Sequence, residues 1–112
     1  MSGSSPAGSF PYDGPMTEHL TIVAIIRAAA GQGDAAAVEI EKLVAPTRVE
    51  AGCLRYDLHR DNVDRDRFLF YETWASRPLW QDHMNSDHIA AYKAATAGLV
   101  ESVEIFEMTR TA

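Results

Sequence analysis

The chain has 112 residues, 46% hydrophobic and 23% charged, which suits one globular domain with a modest core and leaves little room for a second. A formal charge of −6 with scattered Lys and Arg gives no basic face for phosphates, so no nucleic acid is expected as a partner. Cys53 is the only cysteine, which excludes an internal disulfide and any multi-thiolate metal site and makes a reducing cytoplasm the expected location.

The opening run MSGSSPAGSFPYDGP has neither a positive n-region nor an apolar h-region, and no later stretch reaches the roughly 18 apolar residues of a membrane span. Secretion and membrane insertion are therefore not expected. Rich in Ser, Gly and Pro, this run buries too little apolar surface to offset its ordering entropy. Residues 1–18 read as a tail, with Met16 as an alternative start, and residues 19–112 as the folded domain.

LTIVAIIR, from Leu20 to Arg27, is β-branched and apolar on both alternating faces, the pattern of a strand buried on two sides. After Gly31 and Gly33, Asp34 is placed to cap a helix whose apolar positions include Ile40, Leu43 and Val44, bent or ended near Pro46. EAGCLRYDLHRD reads as a turn at Gly52 and a strand with Leu54, Tyr56 and Leu58 on one face. RFLFYETWA is a second strand of the same hairpin, with Phe68, Phe70, Glu72 and Trp74 on one face.

Ser76 followed by Pro78 starts a short helix through Trp80 and His83 to about Met84. Ser86 caps another, which carries Ile89 and Tyr92 and stops at Gly98. VESVEIFEMTR is a last strand, charged enough for a sheet edge. The order βαββαβ, with its second helix split, is the ferredoxin-like α+β arrangement. One layer of helices covers only one face of its sheet, so the apolar opposite face predicts a homodimer.

The stretch WQDHMNSDHIAAY, Trp80 to Tyr92, carries the candidate chemistry. On one continuous helix, His83 and His88 would point roughly 140° apart. The Asn85-Ser86-Asp87 break lets them turn toward one pocket, with Tyr92 one turn beyond His88. Phe70, Glu72 and Trp74 on the strand could floor that pocket, with Glu72 orienting an imidazole, and Trp80 and Met84 could line it. The bland alternative is that both histidines only tie helix to sheet and the aromatics only pack. No metal is expected: the spacing is not an i,i+4 helical pair, and no third ligand lies at a recognisable distance along the chain. Cys53 reads as an inert thiol.

EAGCLRYDLHRD followed by RFLFYETWASRPLWQDHMNSDHIAAY resembles the antibiotic biosynthesis monooxygenase (ABM) family of small quinol monooxygenase-like proteins. The most specific part is the spacing Glu72-x-Trp74, His83, Ser86-x-His88 and Tyr92, and the likeness spans Leu20 to Thr109. It implies a ferredoxin-like homodimer forming an α+β barrel, with a pocket between sheet and helices in each protomer. It also implies oxidation of a quinol or polycyclic phenol by O2 without metal, flavin or haem.

Such chemistry needs an electron-rich substrate anion. His83 or His88 would be the base that makes it, Tyr92 the proton donor, and Phe70, Glu72, Trp74, Trp80 and Met84 the substrate-binding wall. Haem degradation is disfavoured, because Ile26 and Lys93 stand where haem-degrading relatives carry an asparagine and an iron-binding histidine. Two other functions fit the same residues: a non-catalytic binder of small aromatic metabolites, and an isomerase that shuttles a proton on a small carbonyl compound.

Overall fold

A computed structural model describes residues 19–112. The expected tail, with Met16, lies outside the described residues apart from the boundary itself. The elements run β1 (Leu20–Ala28), α1 (Gly33–Glu41), α2 (Val44–Arg48), β2 (Cys53–Arg60), β3 (Arg67–Trp74), α3 (Arg77–Met84), α4 (Asp87–Ala95) and β4 (Val100–Met108). The four strands form one antiparallel sheet in the order β2-β3-β1-β4. This is the ferredoxin-like α+β fold. The doubly apolar strands β1 and β3 are central, and the charged β4 is an edge.

Strand alternation decides which side faces the helices. Ile22, Ala24, Ile26 and Ala28 of β1 are buried, as are Phe68, Phe70, Glu72 and Trp74 of β3, and β1–β3 pairing sets Ile22 opposite Glu72 and Ala24 opposite Phe70. On the other face Val23, Ile25 and Leu69 are only half-buried, while Tyr71, Phe106 and Met108 are exposed. The helices cover one layer only.

Three expectations are corrected. First, Asp34 does not cap α1. The N-cap is Gln32 without a side-chain bond, and Asp66 from the β2–β3 loop instead accepts from the backbone N–H groups of Gly31 at 3.0 Å and Gly33 at 2.9 Å. A carboxylate from a distant loop therefore satisfies the helix start.

Second, the break expected near Pro46 falls a turn earlier, at Lys42–Leu43, and Pro46 itself sits in the first turn of a further helix, α2. A proline ring collides with the carbonyl four residues back and offers no N–H to it. For Pro46 that carbonyl belongs to Lys42, where the helix is interrupted. Third, Leu54 is exposed, apart from Tyr56 and Leu58, because the β2–β3 register shifts between Cys53 and Arg55. A bulge takes one residue out of alternation.

Candidate functional site

Ser76 and Ser86 cap α3 and α4, their hydroxyls accepting from the N–H groups of Leu79 and Ile89. The Ser86 hydroxyl also donates to the His83 carbonyl at 2.7 Å. The chain thus ends one helix and begins the next within two residues, Asn85 and Ser86. This break brings His83 and His88 together. Their rings lie 5.9 Å apart and both engage one atom, Oε2 of Glu50, at 2.8 Å from His83 Nδ1 and 2.6 Å from His88 Nε2.

Glu50 was not among the residues singled out from the sequence. It occupies the turn between α2 and β2, two residues before Gly52. Gly52 has φ of +82°, and a Cβ there would overlap the Leu79 side chain on α3. The turn and α3 are therefore in close contact, which sets the reach from Glu50 to His83. The one signal in the sequence was an acidic residue beside a turn glycine, too common a pattern to mark a site.

The expected imidazole partner, Glu72, is engaged elsewhere: its Oε1 accepts from Trp74 Nε1 at 2.9 Å. Glu50 orients the imidazole instead. Trp74 is fully buried, its ring 4.9 Å from that of His83 at 31°, and it stands behind the histidine rather than on the cavity wall. Tyr56 meets the His83 ring edge-on at 5.5 Å and stacks on Phe70 at 4.4 Å. Packing on these sides fixes the imidazole plane.

Between the sheet and α3 and α4 lies a cavity of about 420 Å³. Its wall is largely aliphatic and aromatic, with Ile22, Ala24, Phe70, Trp80, Met84 and Ile89 among the apolar lining and His83, Glu72, Tyr56, Tyr92, Lys93 and Thr96 as its polar members. Of the eight residues proposed from the sequence, Phe70, Glu72, Trp80, His83, Met84 and Tyr92 reach this wall. Trp74 and His88 do not. His88, with a quarter of its side chain exposed, meets the site only through Glu50.

The titration of these groups follows from burial. His83, almost fully enclosed, is held below the usual imidazole range chiefly by desolvation, which outweighs the pull of Glu50 toward the charged form. Glu72 is pushed up to about 7, first by burial and also by the Glu50 charge, against the Trp74 hydrogen bond that favours its anion. Burial raises the Tyr92 phenol above its ordinary value, outweighing the opposing pull of the nearby Thr96 side chain, and the hydroxyl makes no hydrogen bond of good geometry among the described residues. Cys53 is likewise raised, by burial and by Glu50 and Glu72, so it stays a thiol.

The third ligand that the spacing argument failed to find for a metal is also present. Glu50, His83 and His88 each offer a ligand atom within 4.8 Å of the others, and two imidazoles with a carboxylate are donors that transition metals accept. The same atoms are also mutually satisfied by the two hydrogen bonds, one for each lone pair of Oε2. That arrangement fixes tautomers: a proton on His83 Nδ1 leaves Nε2 as an acceptor.

A split-helix ferredoxin-like domain with an oriented histidine on an apolar cavity defines a class of small α+β proteins, and comparison with known proteins places this chain within it. The antibiotic biosynthesis monooxygenase family model matches residues 19–95, and the chain belongs to that family. The crystal structure of PA3566 from Pseudomonas aeruginosa superposes with a TM-score of 0.83 at 38% identity, covering 88% of this chain and 100% of that one. SO0527 from Shewanella oneidensis gives a TM-score of 0.78 at 26% identity over 83% of this chain and 91% of its own. Rv0793 of Mycobacterium tuberculosis, provisionally named a monooxygenase, is 31% identical over 61 residues, 54% of this chain and 59% of that protein. The match to sll1783 of Synechocystis covers 50% of that protein, so the chain spans little more than half the length of these curated relatives.

Proposed function

We propose that this chain is a homodimeric, cofactor-independent monooxygenase of the cytoplasm, oxidising a quinol or polycyclic phenol with O2. The observation that carries the reading is the Glu50–His83 hydrogen bond of 2.8 Å at the edge of a cavity of about 420 Å³. A carboxylate on Nδ1 orients the ring and supports the imidazolium that forms when Nε2 takes a proton. Burial favours neutral His83 at neutral pH, which leaves Nε2 free to take a proton.

In this reading His83 is the base and Glu50 its positioning residue. His83 removes a phenolic proton, the electron-rich anion transfers an electron to O2, and the two radicals combine at carbon. The imidazolium returns its proton to the peroxide. Phe70, Trp80 and Met84 supply flat, polarizable wall, and the unpartnered Tyr92 hydroxyl offers a bond to a substrate oxygen. His88 supports the site from outside the cavity by holding Glu50. The apolar sheet face carrying Val23, Ile25, Leu69, Tyr71, Phe106 and Met108 supports the homodimer.

Oxygen uptake with hydroquinones and anthrones in metal-free buffer tests the reading. Turnover by the wild type, lost in His83→Ala and reduced in Glu50→Gln, is the expected result. Saturable binding of these aromatics with no oxygen consumption would replace it by the non-catalytic binder.

A further inference from the structure

Glu72 has no place in the base machinery, yet it is a buried carboxyl on the wall of the same cavity. It lies on β3, 3% exposed, with no cation bonded to it among the described residues. Its single hydrogen bond there comes from Trp74 Nε1 to Oε1. An indole N–H can only donate, so Oε1 must act as an acceptor. If the carboxyl holds a proton, that proton belongs on Oε2, the oxygen that Trp74 leaves free.

From this geometry we infer that Glu72 is a second catalytic residue, a carboxylic acid whose Oε2–H donates to a ligand oxygen while His83 Nε2 accepts. This rests on the monooxygenase reading and assigns its acid. The cavity then offers one donor and one acceptor from opposite layers, β3 and α3. It suits a planar molecule with a hydroxyl or acidic C–H at one position and a carbonyl or peroxide oxygen at another.

The step for which an acid is needed is the loss of water from the carbon-bound hydroperoxide. His83, neutral again after protonating the peroxide, takes the hydrogen from the peroxide-bearing carbon. The C–H electrons become the new C=O bond, the O–O bond breaks, and the leaving hydroxide takes the Glu72 proton to depart as water. The His83 proton then restores Glu72 through solvent. Substrate plus O2 gives quinone plus one water, with O2 as the oxidant.

Tyr92 was the donor expected from the sequence, but burial makes its phenol hold the proton more firmly. An acid works best with a pKa near the working pH, and Glu72 at about 7 meets that condition. The groups around it are Glu50 from the α2–β2 turn, Tyr56 and Cys53 on β2, His83 on α3, and Tyr92 and Lys93 on α4. Of these, the Glu50 carboxylate, which faces the two histidines, favours the protonated form of Glu72. On the same sheet face, Glu107 of β4 is engaged by Arg77 at 2.7 Å.

Glu72→Gln separates donation from acidity, because the amide oxygen can still accept from Trp74 and its NH2 can still donate, yet it has no proton to give. Two measurements on the full chain decide the matter. Infrared difference spectra between pH 6 and pH 8.5 should show a protonated carboxyl that disappears on raising pH in the wild type and is missing from Glu72→Gln. Loss of that band only near pH 4.5 would overturn the assignment.

In oxygen uptake with anthrone, Glu72→Gln should lower kcat about a hundredfold, the lower range for general acid catalysis, with KM changed less than about threefold. It should also remove the decline of kcat above about pH 7 that is expected of the wild type. Tyr92→Phe should lower kcat by less than about tenfold. Unchanged kcat and an unchanged pH profile in Glu72→Gln would sink the acid role alone, whereas a wild type that consumes no oxygen sinks the monooxygenase reading itself.

Discussion

The two faces of the sheet are built from the same four strands yet end in different states. On the helix-covered face, Ile22, Phe68, Phe70 and Trp74 are buried to within a few per cent, and two of the polar side chains there are paired, Trp74 with Glu72 and His83 with Glu50. On the opposite face, Tyr71, Phe106 and Met108 remain exposed, each at about two fifths. The difference separates two tasks. Where helices exclude water, desolvation can tune His83 and Glu72; where they are missing, the same apolar alternation has only a surface to offer.

That contrast can be broken from either side. The largest effect should come from His83→Ala, lowering kcat for oxygen uptake by about 10² to 10⁴, the usual worth of a general base. Trp74→Ala should destabilise the fold by about 3–5 kcal/mol in urea unfolding, because it removes a fully buried ring from behind that histidine. Phe106→Asp on the bare face should instead leave the fold's core intact and, if the proposed homodimer forms through this face, give monomer in light scattering, through a charge placed in an apolar contact. A folded Phe106→Asp variant that stayed dimeric would place the dimer elsewhere.

Smaller effects sharpen the comparison by pH. Glu72 has a folded-state pKa raised from 4.5 to about 7. The folded chain therefore binds more protons than the unfolded one between those values, and stability falls as pH rises through that window. Glu72→Gln should be the more stable protein above pH 7, by about 3 kcal/mol, and should lose that advantage toward pH 4.5. His83 acts with the opposite sign: its lowered pKa raises stability as pH climbs through its folded-state value toward 6.5. His83→Gln should flatten only that acid-side limb, a smaller change read from thermal melts across pH.

How much of this could be read in the chain depended on the range of the interaction. The capping serines, Pro78 and the alternation of RFLFYETW act within a few residues, and each of those elements stands where its pattern puts it. The break at Asn85-Ser86 was legible for the same reason. Glu50 was not: it meets His83 across 33 residues and His88 across 38, and only the folded turn at Gly52 brings it there. Asp66 was missed as the cap of α1 on the same ground, being 33 residues from Gly33. Trp74 was recognised as important but placed on the wall, because strand alternation gives the face of a residue and not its depth behind a neighbour.

The oxygen that Glu50 shares between two rings has a further meaning. His83 is sealed from solvent and His88 is partly open to it, so a single atom joins a dry group to a wet one. Whatever draws His88 toward that oxygen or away from it changes how much negative potential remains for His83. The enclosed ring and the partly exposed one thus share a single carboxylate oxygen, so a change at the protein surface has a direct electrostatic route to His83.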